Sequence, residues 1–241
     1  MYVCRSTTIT LRLHGLLTSV MRRTKEDAQQ TRESLLDAAE CLFAERGVSR
    51  TSLQDIAKAA GVTRGAVYWH FEDKAALFNA MMDRTTLPME DTLKSIDTVR
   101  EDKPLVELKA SMLNVMRRIA HDPRTQRVFD IATLKVEYVD EVSGIRARHL
   151  DVHQSCRGHV EATFRRAQAL GQITDQHDAR LLAISYMALV NGLIHNWMLD
   201  QTLFDLVSSA EASIDLFLGG LTRPASGAPR HQAVGGLIQA G

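Results

Sequence analysis

One short segment brings together side chains that could bind a nucleic acid. Arg64, Tyr68 and Trp69 fall on one face of a predicted helix with Gly65, since consecutive helical residues are about 100° apart. An arginine can bind a guanine edge or a phosphate, aromatic side chains can contact the sugar–phosphate backbone, and a glycine permits close approach. An exposed Tyr–Trp pair is costly to leave in water without such a partner. The segment therefore predicts a surface that binds a duplex.

Two further helices are predicted to position this surface. A longer helix with one apolar face begins near Thr31 and ends at Gly47. Thr51 and Gln54 have the spacing of a capping box, so Thr51 is predicted to cap a short second helix, which Gly61 interrupts. The third helix then runs to about Phe71. Two short helices that are joined by a glycine-containing turn and braced by a longer one make a helix-turn-helix.

Other groups near this surface could bind phosphate. His70 and Lys74 flank it as donors, and the hydroxyls of Thr51, Ser52 and Thr63 lie at predicted helix starts, where free amides suit an anion. From residue 22 to residue 74 the nine Lys and Arg are balanced by nine Asp and Glu, so binding must rely on where individual cations lie.

A competing interpretation is that Tyr68 and Trp69 pack on the neighbouring domain.

The sequence around these helices resembles the TetR family of repressors. The resemblance rests on the run AGVTRGAVYWHFEDK at 60–74, which TSLQDIA at 51–57 precedes. The segment RRTKE at 22–26 and the quartet YWHF at 68–71 are similar to the AcrR/TtgR-like branch, whose members repress multidrug efflux pumps. Helix order extends the resemblance from Met21 to about Leu221. It implies operator contacts at Thr51, Ser52, Thr63, Arg64, Gly65, Tyr68, Trp69, His70 and Lys74.

Composition predicts an all-α fold of one small and one larger domain. The 241 residues are 45% hydrophobic and only 5% aromatic, and the 29 basic residues equal the 29 acidic ones. Such a chain can bury a core, and alternating strand patterns are absent. We predict four parts: residues 1–20 as an extension that does not pack, 21–74 as a helix-turn-helix DNA-binding domain, 75–222 as a helical bundle for ligand binding and dimerisation, and 223–241 as a flexible tail.

The bundle is predicted to follow a connecting helix that starts near Lys74. Pro104 begins the next helix and Asp122-Pro123 ends it. A helix from about 140 to 170, an almost wholly apolar helix from about Asp178, and a last helix from Ala210 to Leu221 complete the bundle. The last two are expected to form the contact of a homodimer.

A small ligand is expected to bind between the bundle helices. Flexible methionines suit a pocket that accepts several shapes, and buried polar groups need partners. The predicted polar contacts are Arg117, His121, Asn191 and His195, and the predicted apolar walls are Met116, Met187 and Val190. Arg117 in such a pocket favours anionic or phenolic ligands.

Other kinds of chemistry find less support. His149, His153 and Cys156 have i, i+4, i+7 spacing, which could present metal ligands on one helical face or could simply pack. Motifs for metalloprotease, serine hydrolase or phosphate-cradling chemistry are absent, so we predict neither an enzyme nor a bound cofactor. The three cysteines are widely spaced and do not form a disulfide framework.

Leu181 to Leu199 carries no formal charge but includes Ser185, Asn191, His195 and Asn196. We interpret this stretch as a core or subunit-interface helix rather than a membrane span, and we expect a cytoplasmic protein.

The sequence thus predicts a ligand-responsive repressor that binds a pseudo-palindromic operator as a homodimer. The efflux-regulator resemblance implies control of a multidrug efflux operon and release by small hydrophobic or aromatic effectors. Two alternatives remain: a sensor of a metabolite, or of a metal, that controls a catabolic operon, and an interaction module whose Tyr–Trp surface binds a protein.

Overall fold

The computed structural model describes residues 7–94, 102–136 and 143–222, with side chains placed from residue 25 onward and outside 88–101 and 137–143. Every regular element in these ranges is a helix, which confirms the predicted all-α fold. The elements are α1 (Thr7–Arg46), α2 (Leu53–Ala59), α3 (Arg64–His70), α4 (Lys74–Lys94), α5 (Pro104–His121), α6 (Pro123–Leu134), α7 (Ser143–Ala169), α8 (Ala179–Leu199) and α9 (Leu206–Leu221).

Most predicted helix boundaries are confirmed, and the exceptions have local causes. α1 is continuous from Thr7, so it begins well before the predicted start near Thr31, and the backbone shows no break at Met21. Whether residues 1–20 pack concerns side chains outside the described ones. Asp205 accepts a hydrogen bond from the amide of Ser208, and α9 therefore begins one turn before the predicted Ala210. The predicted tail at 223–241 lies outside the described residues.

The cap of α2 differs from the prediction by one residue. The Ser52 hydroxyl, not that of Thr51, accepts from the amide of Asp55 at 3.1 Å, and the Asp55 carboxylate accepts from the amide of Ser52 at 3.0 Å. The Thr51 hydroxyl donates instead to the carbonyl of Gly47 at 2.8 Å. Gly47 can end α1 there because it adopts a positive φ of 86°, which most residues avoid.

Two apolar cores organise the molecule. The first joins α1, α2 and α3 to the beginning of α4, where Leu77, Phe78 and Met81 are buried, and it also takes in Ile131 of α6 and Ile145 of α7. We call α1 to α3 the head. Because its core continues through α4 into α6 and α7, the head is docked on the rest of the chain and does not hang from a linker.

The second core lies among α5, α7, α8 and α9, which we call the bundle. Phe164, Tyr186 and Phe217 meet there edge to face, with ring centroids 5.9 to 6.2 Å apart. Within the described part of the chain, α8 is the one helix long and apolar enough to cross a membrane. Ala183 and Tyr186 of α8 are fully buried in the bundle core, as expected of a core helix in a folded domain.

Candidate nucleic-acid interface

α3 places its apolar and its aromatic side chains on opposite faces. The Thr63 hydroxyl caps the helix by accepting from the amide of Ala66 at 3.3 Å. Val67 and Phe71 are buried against α1, whereas Tyr68 is 48% and Trp69 is 73% exposed. Arg64 and Gly65 are exposed beside them. We call Arg64, Gly65, Tyr68 and Trp69 the α3 face. Its outward orientation is the one predicted from the helical period, and the exposure of both aromatic side chains argues against their packing on the neighbouring domain.

Arg64 and Tyr68 orient each other on the α3 face. An Arg64 guanidinium nitrogen donates to the Tyr68 hydroxyl at 3.2 Å, and the guanidinium carbon lies 5.5 Å from the Tyr68 ring centroid. The hydrogen bond raises the pKa of Arg64 above its ordinary value, so this side chain stays cationic. A charged group that is already held in place loses less conformational freedom when it contacts a base or a phosphate.

The α3 face borders an open groove between α2, α3 and the start of α4. Its volume is about 400 Å³, and Ser52, Leu53, Gln54, Arg64, Tyr68, Glu72, Asp73 and Lys74 line it. A Cβ added at Gly65 would meet the Thr63 hydroxyl only at 3.8 Å, an ordinary contact. Since the chain's own packing does not require glycine at position 65, the free space favours something that approaches from outside.

His70 differs from a simple phosphate-binding cation. Burial, and then the positive charge of Arg32, lower the pKa of His70 below its ordinary value of 6.5. Its ring packs at right angles to the Trp69 ring with centroids 4.5 Å apart. In the free protein at neutral pH, His70 is therefore an uncharged hydrogen-bonding group that supports Trp69.

Two of the predicted operator contacts are buried. Thr51 is 1% and Lys74 is 6% exposed. The Lys74 ammonium donates to the carbonyls of Ser49 and Thr51 at 3.3 and 3.2 Å. As placed, both side chains brace the turn between α1 and α2 and do not offer polar atoms to a duplex. Contacts of the remaining exposed positions with DNA stay a prediction.

Replacing Lys74 with methionine is expected to lower the free energy of unfolding by about 1 to 3 kcal/mol, because the buried Thr51 carbonyl and the partly buried Ser49 carbonyl lose their donor. Urea unfolding measures this, with Lys58→Met as the matched control, since Lys58 is an exposed lysine of α2. Unchanged stability combined with weaker operator binding would contradict the bracing role and favour the predicted phosphate contact.

The structure does not gather the predicted ligand residues around one cavity. Met116 and Val190 are fully buried in the bundle core, whereas Arg117 and His121 are exposed. Adjacent residues on α5 point about 100° apart, so Met116 and Arg117 cannot share a wall. Arg117 donates to the Asn114 side chain at 2.9 Å, and its predicted preference for anionic ligands loses its basis. Of the α8 residues, Met187 and Asn191 are half-buried, and His195 is exposed.

A cleft that the sequence does not predict lies between α4, α6 and α7. Its cavity volume is about 70 Å³, and apolar and polar groups line it together. The lining residues are Phe78, Asn79, Met82, Asp83, Thr86, Ala132, Val136, Ile145, Arg148, His149 and Val152. Arg148 donates to the Asp83 carboxylate at 2.7 Å, which ties α7 to α4 across the cleft. Pairing of α4 with α7 could not be inferred from local periodicity.

The metal-binding interpretation of α7 is not supported. His149 and His153 are neighbours with ring centroids 4.4 Å apart, but the described side chains include no group of three that could hold an ion. Burial lowers the pKa of both histidines, and the charges of His153 and Arg157 lower those of His149 and His153 further.

These lowered pKa values predict that the protein becomes less stable in mild acid. The unfolded chain takes up protons near the ordinary histidine pKa of 6.5, before the native state does, so this stability is complete above 6.5 and is lost as pH falls below it. Melting temperatures measured from about pH 7.5 to pH 5.5 should show the decline. His153→Gln should make the melting temperature depend less on pH. If the melting temperature of this variant falls as steeply with pH as that of the unchanged protein, the decline does not come from His153.

A head that presents an aromatic and arginine face, followed by a connecting helix and a helical bundle, defines a helix-turn-helix regulator. The chain belongs to the TetR family. Residues 35–81 match the family of bacterial regulatory proteins, tetR family, and residues 103–222 match the C-terminal region of MAATS-type transcriptional repressors.

Similar proteins are regulators. The chain is 36% identical to the HTH-type transcriptional regulator TtgR of Pseudomonas putida over 81% of this chain and 93% of TtgR. The structure of NalD, the secondary repressor of the MexAB-OprM multidrug efflux pump in Pseudomonas aeruginosa, has a TM-score of 0.75 and 35% identity over 82% of this chain and 98% of NalD. The complex of SmeT, from Stenotrophomonas maltophilia, with triclosan has a TM-score of 0.74 and 30% identity over 87% and 100%.

Proposed function

We propose that this protein is a dimeric, ligand-responsive repressor that binds a pseudo-palindromic operator and controls a multidrug efflux operon. The observation that carries the proposal is the outward α3 face, where Arg64 and Tyr68 are held together and Trp69 is largely exposed. A short helix of this kind fits the major groove. Relatives that repress efflux pumps support the choice of operon.

Dimerisation is supported by an apolar stripe that the chain leaves uncovered on α8 and α9. On α8 the exposed large side chains are Leu181, Ile184 and Leu199, and on α9 Leu216 is 79% exposed. Small residues accompany them at helical spacing: Ala188 and Gly192 lie between Ile184 and Leu199 on α8, followed by the exposed polar His195, and Ala212 and Gly219 flank Leu216 on α9. A Cβ at Gly192 or Gly219 would meet nothing within 4 Å, so the intrachain packing does not need these glycines.

Such a stripe permits close approach of a second copy of the two helices. Glycine inside a helix costs roughly 1 kcal/mol relative to alanine, and an exposed apolar stripe invites association. A two-fold dimer would carry two α3 faces, which can meet successive major grooves about 34 to 36 Å apart. We therefore place the dimer contact at α8 and α9.

The cleft between α4, α6 and α7 is our proposed entry for a small hydrophobic or aromatic effector. At about 70 Å³ it is smaller than the 300 to 1,000 Å³ usual for ligand pockets, so an effector must part its walls. One wall is α4, whose first turns belong to the head core. An effector that binds only the opened cleft shifts the population toward a conformer in which the two α3 faces no longer match the operator.

The test is fluorescence anisotropy with the intergenic DNA upstream of the gene, with triclosan as the probe effector. We expect saturable binding to this DNA, no comparable binding to a scrambled duplex, and release by triclosan. Equal affinity for both duplexes would contradict operator recognition. Specific binding upstream of catabolic genes instead would favour the metabolite-sensor alternative.

A further inference from the structure

A buried carboxylate on α1 accepts hydrogen bonds from three arginines that lie outside the head. Glu40 has a side chain that is only 4% exposed. Arg84 of α4 donates to it at 3.0 Å, Arg124 of α6 at 3.2 Å, and Arg127 of α6 at 2.9 Å. Glu40 thus joins the head simultaneously to the connecting helix and to α6.

Two of the three arginines also contact two further carboxylates of α1. Arg84 contacts Glu33 at 3.0 Å and Asp37 at 2.9 Å, and Arg124 contacts Asp37 at 2.7 Å. Glu33, Asp37 and Glu40 lie at i, i+4 and i+7, so they form one stripe along α1. We call these three carboxylates and three guanidinium groups the ionic cluster. Its formal charges balance, and its three guanidinium groups come from α4 and α6, although Glu33 also contacts Arg32 of α1 at 3.8 Å.

The ionic cluster supplies a geometric restraint that the apolar contacts of the head do not. Burial of Ile131 and Ile145 in the head core favours contact but is not directional. A guanidinium group, in contrast, presents several donors in a fixed plane and fits carboxylates only at defined angles. α1 can therefore keep all six groups paired only for one relative placement of α4 and α6.

That placement is adjacent to the proposed effector cleft. Asp83, which precedes Arg84 on α4, and Ala132 of α6 both line the cleft. A molecule that separates α4 from α6 there draws Arg84 away from Arg124 and Arg127. Glu40 is hydrogen-bonded to all three arginines, so it must then lose either Arg84 or the pair on α6. α1 moves with the arginines that Glu40 retains.

We propose that Glu40 is the positioning residue that makes the orientation of the head depend on the spacing of α4 and α6, with Arg84 as its partner on the connecting helix. The consequence for operator release rests on the proposed function, whereas the coupling itself does not. Arg84→Lys keeps the positive charge but loses the planar fork, so it tests geometry separately from charge.

The direct test measures distances between the head and the bundle by pulsed electron paramagnetic resonance on the full chain. Cysteines carry the labels at two exposed positions, Lys58 of α2 and Ala110 of α5, in a background where Cys4, Cys41 and Cys156 are serine. Dilution with excess unlabelled protein restricts the signal to pairs within one chain. We expect one narrow distance distribution for the otherwise unchanged chain, and a shifted or broadened one for Glu40→Gln and Arg84→Lys.

A matched ion pair inside the bundle provides the control. Lys109 of α5 contacts Asp215 and Glu211 of α9 at 2.7 and 3.1 Å and does not touch the head. Lys109→Met should leave the distribution unchanged. Should Glu40→Gln fail to fold, Arg124→Gln serves instead, because that arginine is 44% exposed.

The outcomes decide the proposal. A broadened distribution in the ionic-cluster variants alone supports it; unchanged distributions in those variants, or equal broadening by Lys109→Met, overturn it. As a second readout, Arg124→Gln should weaken binding to the upstream duplex by about tenfold, within the range usual for coupling between sites. If no variant, including the unchanged chain, binds that duplex specifically, the proposed function fails while the distance measurement still decides the coupling.

Discussion

Replacing Tyr68 with alanine should raise the dissociation constant for the operator by about ten- to a hundredfold. Loss of one well-placed contact to a base is worth about 1 to 3 kcal/mol, and each 1.4 kcal/mol is tenfold. Here the ring is lost together with the hydroxyl that orients Arg64 at 3.2 Å. Tyr68 is 48% exposed, so its removal should change the melting temperature little. Anisotropy with the upstream duplex measures the effect.

The control for this prediction is Tyr68→Phe, which keeps the ring beside Arg64 but removes the hydrogen bond. Its dissociation constant for the operator should lie between those of the unchanged protein and the alanine variant. Triclosan binding, measured by calorimetry, should be the same in all three proteins, because α3 lies outside the proposed cleft. Equal loss of operator and triclosan binding would argue against separate sites for the two ligands.

Replacing Leu216 with glutamate is expected to produce monomers and to weaken operator binding by more than about a hundredfold. An unpaired charge at the centre of an apolar contact costs several kcal/mol. A monomer also loses the second half-site, whose binding in a dimer follows at a high effective concentration. Sedimentation velocity reports the oligomeric state, and anisotropy reports the affinity.

Val106→Glu is the matched control for the dimer prediction. Val106 lies on α5 outside the α8 and α9 stripe and is 63% exposed, so the same change of charge and size should leave both the mass and the operator affinity unchanged. If the Leu216→Glu protein still sediments as a dimer, the subunit contact does not lie at this face of α9.

Several sequence predictions hold because short-range patterns determine them. The two faces of α3 follow from the helical period and from a hydroxyl cap at Thr63. The start of α8 follows from Asp178, whose carboxylate accepts from the amide of Arg180. These interactions act within one or two turns, and nearby residue types therefore suffice to predict them.

Other features depend on a distant group, which nearby residue types do not reveal. Thr51 and Ser52 both carry hydroxyls, and the choice between them depends on the Gly47 carbonyl, which takes up the Thr51 donor. Lys74 is predicted to be a phosphate donor, and nearby residue types do not show that its ammonium group lies against two carbonyls of the turn between α1 and α2; its contact with DNA stays a prediction. The charge-free stretch of α8 predicts a core or subunit-interface helix, and only the packing shows that its Leu181 and Leu199 are about half exposed or more.

By itself, the amino-acid sequence determined the helical class, the helix-turn-helix and the outward aromatic and arginine face, because each depends on residues within a few positions of one another. Only the tertiary structure decided where the cleft between α4, α6 and α7 lies and which charges tie the head to α4 and α6. The residues that line the cleft lie between positions 78 and 152, and the arginines that donate to Glu40 are 44 to 87 positions away from it in the sequence. The physical reason is that packing brings these helices together over separations that no local pattern records.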